Sequence, residues 1–212
     1  MAEPIPVVAL HGALRSRLGL LPTALWLNLS GFQAKTFGYP TRRGTLVDHG
    51  RALGERLRRW YPEPPPVLGL VTHSMGGLVA RAWLAHASPD ELGAVQRIVM
   101  LSPPNLGSTL ARLYRDRLWF RWLYGDAVDE LAGDACRCLP PLPPSAQVLV
   151  LAGGNGGRGY HPSIEGDDDG VVGVCEMGLP GVVPECIGGV HSLLQWSPRC
   201  LRRAAAFLRD GR

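Results

Sequence analysis

Ser74 is the residue of this chain best placed to act as a nucleophile. It follows an apolar run at 67–71 and the pair Thr72-His73, and it precedes Met75-Gly76-Gly77 and a helical stretch at 78–87. A serine at a strand-to-helix turn takes up strained backbone angles that expose its hydroxyl above the sheet. A small residue two positions on lets the helix pack closely, and the positive end of that helix faces the hydroxyl. Thr72 stands where the usual pattern has glycine, so the bare motif is imperfect.

A serine hydroxyl needs a base, and the base needs an acid to orient it. Of the six histidines, His191 follows the last apolar run, in Gly188-Gly189-Val190-His191-Ser192. That place suits the chain order serine, acid, histidine. His11 and His73 adjoin the motif turns and read as partners of local backbone. His49 and His86 fall in helical segments, and His161 lies in a glycine-rich loop. The acid is sought in Asp167-Asp168-Asp169-Gly170-Val171-Val172. Asp169 is favoured because Gly170 turns the chain and Val171-Val172 returns to buried structure. Asp168 is second, while Asp167 and Glu165 read as solvent-facing. Three adjacent carboxylates also suit a solvated turn or a cation site. An oxyanion formed at Ser74 would need backbone N–H donors. Those expected are Met75, just after the serine, and Ala13, in the loop that opens with His11-Gly12.

The elements that must position these residues alternate along the chain. Strands are expected at 5–10, 32–37, 67–71, 95–101, 147–151 and 182–187. Helices are expected at 20–30, 46–60, 78–87 and 198–209. This alternation predicts an α/β fold with a mostly parallel sheet of six strands and helices on both faces. Ligands of such a sheet bind at the carboxyl ends of its strands. The segment at about 109–145 breaks the alternation and reads as an insertion within a single domain, 1–212. Its aromatic stretch, 114–124, suggests a lid or acyl pocket in which Trp119, Phe120 and Trp122 bind substrate. The alternative is a helix packed on the core. Either way, burying one such aromatic is worth roughly 2–3 kcal/mol, so the cluster is not expected to lie open in water.

Composition narrows the classes. Gly 27 and Pro 19 of 212 residues stay just below the roughly 25–30% that marks low complexity. The net charge is +4, and only Lys35 among the 22 basic residues is lysine. The arginines fall in short pairs, such as Arg42-Arg43 and Arg58-Arg59, without the aromatic interleaving of a nucleic-acid surface, so no nucleic-acid partner is expected. No run reaches the ~18 apolar residues of a transmembrane segment. The Met-Ala-Glu-Pro start lacks a signal-peptide pattern, which points to a cytoplasmic chain with reduced cysteines. Cys136-x-Cys138 has no second pair at metal-ligand spacing, so neither metal nor cofactor is expected.

Taken in order, these segments resemble a bacterial α/β-hydrolase of the small lipase and esterase type. The resemblance is carried by His11-Gly12, Tyr39-Pro40-Thr41-Arg42, Thr72-His73-Ser74-Met75-Gly76-Gly77-Leu78-Val79-Ala80-Arg81, Ser102-Pro103-Pro104-Asn105-Leu106-Gly107-Ser108, Asp169-Gly170-Val171-Val172 and His191. It implies Ser74 as nucleophile, Asp169 as acid, His191 as base, and Ala13 and Met75 as oxyanion donors. It implies cleavage of a small or lipid-like carboxylic ester through an acyl-enzyme. Secreted lipases of this group often hold calcium through an aspartate two residues after the histidine; here that residue is Leu193. They can also tie the lid to the segment after the acid by a disulfide, which would join Cys175 to Cys136 or Cys138. An acyltransferase or thioesterase would use the same machinery, and a non-catalytic binding protein could keep the fold.

Overall fold

The apolar runs become the strands of one sheet. The computed structural model describes residues 3–211. Its strands are β1 (Pro6–Leu10), β2 (Gln33–Phe37), β3 (Leu68–His73), β4 (Val95–Leu101), β5 (Gln147–Ala152) and β6 (Glu185–Cys186), in the order β2-β1-β3-β4-β5-β6. Every neighbouring pair is parallel. Covered on both faces, β3 is buried along its whole length, which is why it reads as a continuous apolar run. The sixth strand is shorter than the expected 182–187. Val182 and Leu179 exchange backbone hydrogen bonds in a tight turn of their own, and Pro184 has no N–H to give a ladder.

The main helices are α1 (Leu21–Leu29), α2 (Leu46–Trp60), α3 (Met75–Leu84), α4 (Pro89–Ala94) and, at the end of the chain, α10 (Pro198–Asp210). One face of the sheet packs on α2 and α3 through Leu53, Leu78 and Trp83. The other packs on α1 and α10 through Leu27, Ala204 and Leu208. The sequence reading passed over α4, although Ser88 and Glu91 form a capping box at its start and Ser-x-x-Glu is a helix-start signal. α3 also begins three residues before the expected 78–87, with Gly76-Gly77 in its first turn, where intrinsic propensity disfavours glycine. Tertiary packing reverses that preference. A Cβ on Gly76 would lie 2.7 Å from the His11 carbonyl oxygen and 2.8 Å from that of Leu10, so only glycine lets α3 start against the end of β1. Gly76→Ala is expected to cost about 3 kcal/mol in denaturant unfolding. Gly93→Ala, where a Cβ meets nothing within 4 Å, should be neutral or stabilising by up to about 1 kcal/mol. Equal effects at the two sites would refute the packing argument.

Between β4 and β5 the chain makes four short helices, α5 (Thr109–Tyr114), α6 (Leu118–Tyr124), α7 (Ala127–Ala132) and α8 (Ala135–Cys138). Here the expectation of a covered aromatic cluster is corrected. Phe120 is buried, but Trp119 is 56% and Trp122 75% exposed. A seven-residue helix buries one stripe, and Phe120 takes it by stacking on Tyr124 at 4.5 Å. Trp122 lies outside, with the Arg42 guanidinium over its ring and donating to its carbonyl. A further short helix, α9 (Val174–Met177), follows β5. Among the described residues no helix is long and apolar enough to cross a membrane.

Candidate active site

The strand order reverses between β1 and β3, which opens a crevice at their carboxyl ends. Three non-glycine residues among those described have positive φ, and all follow strand ends at this edge: Leu14 (58°) after β1, Ser74 (53°) after β3 and Ser102 (45°) after β4. Such strain costs of order 1–3 kcal/mol per residue and gathers at functional sites. Ser74 is the turn between β3 and α3. Its N–H donates to the Leu101 carbonyl at 2.9 Å, and its carbonyl accepts from Gly77 at 2.9 Å. Thr72 is tolerated because its hydroxyl bonds the Val99 carbonyl and faces the side without a side chain on Gly77.

The loop after β1 presses against this turn, and a Cβ on Gly12 would lie 2.7 Å from that of Ser74. Tyr39 and Thr41 hold the loop in place. Tyr39 stacks on His11 at 4.4 Å and donates its hydroxyl to the His11 carbonyl at 2.6 Å. Thr41 accepts the Leu14 N–H at 3.2 Å. Neither the Ala13 nor the Met75 N–H meets an acceptor among the described residues, and Met75 is the first residue of its helix, where N–H groups are free of intrahelical bonds.

His191 and Asp169 meet across the same edge. The His191 Nδ1 lies 2.7 Å from the Asp169 Oδ2, and the His191 N–H donates to the Asp169 carbonyl at 2.9 Å. The other carboxylate oxygen accepts from Val171 at 3.0 Å and Val172 at 2.8 Å. Burial pushes the Asp169 pKa up, but hydrogen bonds from His191, Ser102 and Val172 outweigh it and hold the carboxyl below its ordinary value. His73 is buried beside them. It donates Nε2–H to the His191 carbonyl at 2.9 Å, and its ring lies 4.8 Å from that of His191.

The neighbouring carboxylates are spoken for. Asp168 accepts from His161 and Gly170. Asp167, read as solvent-facing, instead accepts from Asn155 and Gly156 and ties the end of β5 to the acid loop. Among the described residues no three His, Cys, Asp or Glu side chains are grouped to hold a metal. All five cysteines are free thiols, so the bond from Cys175 to Cys136 or Cys138 is not formed. Cys136 donates to the Glu130 carbonyl instead, and Leu193 is 54% exposed.

Ser74 and His191 line one cavity of about 190 Å³, with Ala13, His73, Tyr124, Leu131 and Val172 around them. Trp119, Phe120 and Trp122 do not line it; Tyr124 and Leu131 represent the insertion there. The Ser74 hydroxyl has no hydrogen-bond partner among the described residues, and such contacts are often loose before substrate binds. A lone hydroxyl, a carboxylate-oriented imidazole and two unclaimed N–H groups in one cavity suit acyl chemistry. Ser102 was missed as a supporting residue. Its signal, a serine at a strand end on the ligand edge, is legible only once the acid is known to lie beside it.

No family model and no curated protein matches this chain. Solved structures do. The metagenomic carboxyl esterase MGS0156 superimposes with a TM-score of 0.75 over 100% of this chain and 77% of its own, at 17% identity. The mature lipase BlEst2 of Bacillus licheniformis gives 0.72 over 91% and 86%, at 22% identity. The NocB thioesterase domain, in covalent complex with a fluorophosphonate nocardicin G analog, gives 0.58 over 97% and 93%, at 23% identity. The fold is that of the α/β-hydrolases.

Proposed function

We propose that this chain is a serine hydrolase that cleaves short-chain carboxylic esters through an acyl-enzyme. The observation that carries the reading is a strained serine sharing a cavity with an imidazole whose Nδ1 is held 2.7 Å from a buried carboxylate. With Nδ1–H donated to Asp169, the Nε2 of His191 is left as the base. It takes the Ser74 proton as the oxygen attacks the ester carbonyl. The Ala13 and Met75 N–H groups receive the oxyanion. His191 then protonates the departing alkoxide, and water repeats the sequence to release the acid and restore Ser74. Thioesters pass through the same steps, as the likeness to a thioesterase domain suggests.

The test is labelling by a fluorophosphonate, followed by peptide mass spectrometry. One phosphonyl adduct on Ser74, absent after denaturation or in His191→Ala, is expected. An intact protein that stays unlabelled would refute the assignment.

Cavity size sets the acyl chain. A volume of about 190 Å³ is below the ~300 Å³ at which drug-sized pockets begin. Acetate and butyrate p-nitrophenyl esters should therefore exceed the octanoate in kcat/KM by about ten-fold or more. Leu131→Trp should cut butyrate turnover more than acetate. Trp122→Ala, at an exposed position, should change stability by no more than about 0.5 kcal/mol. Faster turnover of octanoate would mean that the insertion moves aside for substrate.

A further inference from the structure

Arg81 is a buried cation without an anion. It lies in α3, two turns beyond Ser74, and is 5% exposed. Its Nη1 donates to oxygens of Asn105 and Cys136, and its Nη2 to the Leu139 carbonyl at 2.9 Å. Its Nε is buried with no partner. No carboxylate pairs with it among the described residues. Buried charges are normally paired, because desolvation is costly.

Arg81 lines a cavity of about 780 Å³. The walls are apolar, formed by Leu139, Leu142, Val148, Leu179 and Val182, with prolines at 141, 143, 144 and 180. Arg137 is the second cation on the wall, and no aspartate or glutamate lines it. The cavity shares no lining residue with that of Ser74; the loop at 103–108 contributes Pro104 and Ser108 to one and Asn105 and Leu106 to the other. The proline-rich stretch 139–144, which the acyl chemistry leaves without a role, is thus the wall of a second cavity.

We propose that this cavity binds an aliphatic monocarboxylate, with its carboxylate at Arg81 and its chain along the leucine and valine wall. The hydrogens that Arg81 leaves unused are that of Nε and one of Nη2. A guanidinium with a donor to spare and no carboxylate of its own takes an anionic carboxylate through charge-assisted hydrogen bonds. One negative charge answers the one buried cation of the wall, and an aliphatic tail answers a wall without aromatic rings or acids. The site does not depend on the hydrolase reading.

The experiment is calorimetric titration of Ser74→Ala protein with decanoate and with decanol. One decanoate per chain is expected, bound at least about ten-fold more tightly than decanol, since hydrogen bonds to charged groups exceed neutral ones by such a margin. Leu142→Trp and Leu179→Trp fill the cavity from two different segments of its wall, and each should weaken decanoate by about ten-fold or more. Leu131→Trp, in the Ser74 cavity, should leave it unchanged. Circular dichroism checks folding, and either filled variant suffices if the other fails. Equal affinity for decanol, an undiminished affinity in a folded filled variant, or loss only in Leu131→Trp would overturn the proposal. In protein with Ser74 intact, Leu142→Trp should retain turnover of p-nitrophenyl acetate, which separates failure of this site from failure of the catalytic reading.

Discussion

Ser74→Ala is expected to lower kcat on p-nitrophenyl acetate by about 10⁴-fold or more while the protein stays folded. On the proposed reading Ser74 is the nucleophile, and its removal leaves only what the proposed oxyanion donors and binding supply. His191→Ala should cost a similar factor, and the double variant should be no slower than either alone, because the two side chains act as one unit. Additive losses would mean that they do not. The same position tests the strain. Ser74 holds φ 53° and ψ −129°, and alanine there keeps a Cβ in the strained conformation. Glycine does not, so Ser74→Gly should be inactive yet more stable than Ser74→Ala by about 1 kcal/mol. Matching unfolding midpoints for the alanine and glycine variants would show that the elbow stores no strain.

The second large effect is on acid stability. Burial, with the neighbouring His191 adding to it, pushes the His73 pKa from its ordinary 6.5 down to about 3, against the opposing pull of its hydrogen bond to the His191 carbonyl. In the unfolded chain the same imidazole titrates near 6.5. Between these values the unfolded state carries the extra proton, so stability rises with pH through this window and is lost as pH falls. The full contribution is on the order of 5 kcal/mol. His11 and His49, whose pKa values burial also lowers, act in the same direction. Asp169, held below its ordinary pKa, adds a further loss below about pH 4. His73→Gln keeps an amide donor for the His191 carbonyl but takes up no proton. Guanidinium unfolding at pH 7.0 and 4.5 should show a fall for the wild type that is smaller by about 2.5 kcal/mol in this variant. Identical slopes would place the acid sensitivity elsewhere.

The expected site residues were legible because their signals are local. A strand, a turn and a helix within a dozen residues mark Ser74. The turn at Gly170 and the return to buried structure at Val171-Val172 mark Asp169, and His191 stands out by its place after the last strand. The structure brings these three to one edge of the sheet, with Ala13 and Met75 beside them. The supports were not legible in the same way. Ser102 and His73 act on residues far away along the chain; His73 and His191 are 118 positions apart. Nothing in the spacing of either segment says that they touch.

The sequence by itself determined the first five strands and the helices α1, α2, α3 and α10 to within a few residues, their alternation, and the order in which serine, acid and histidine arrive, but not the short helices α4 to α9. Those follow from apolar periodicity and turn chemistry, which act over a few residues. Tertiary structure alone decided which aromatic of 118–124 turns inward, that Asp167 braces a loop, that Trp119 and Trp122 stay outside, and that Arg81 is buried without a carboxylate. These outcomes depend on which surfaces meet once the sheet is assembled. Burial is a property of the assembled layers, and the cost of burying a group depends on partners that local sequence does not name.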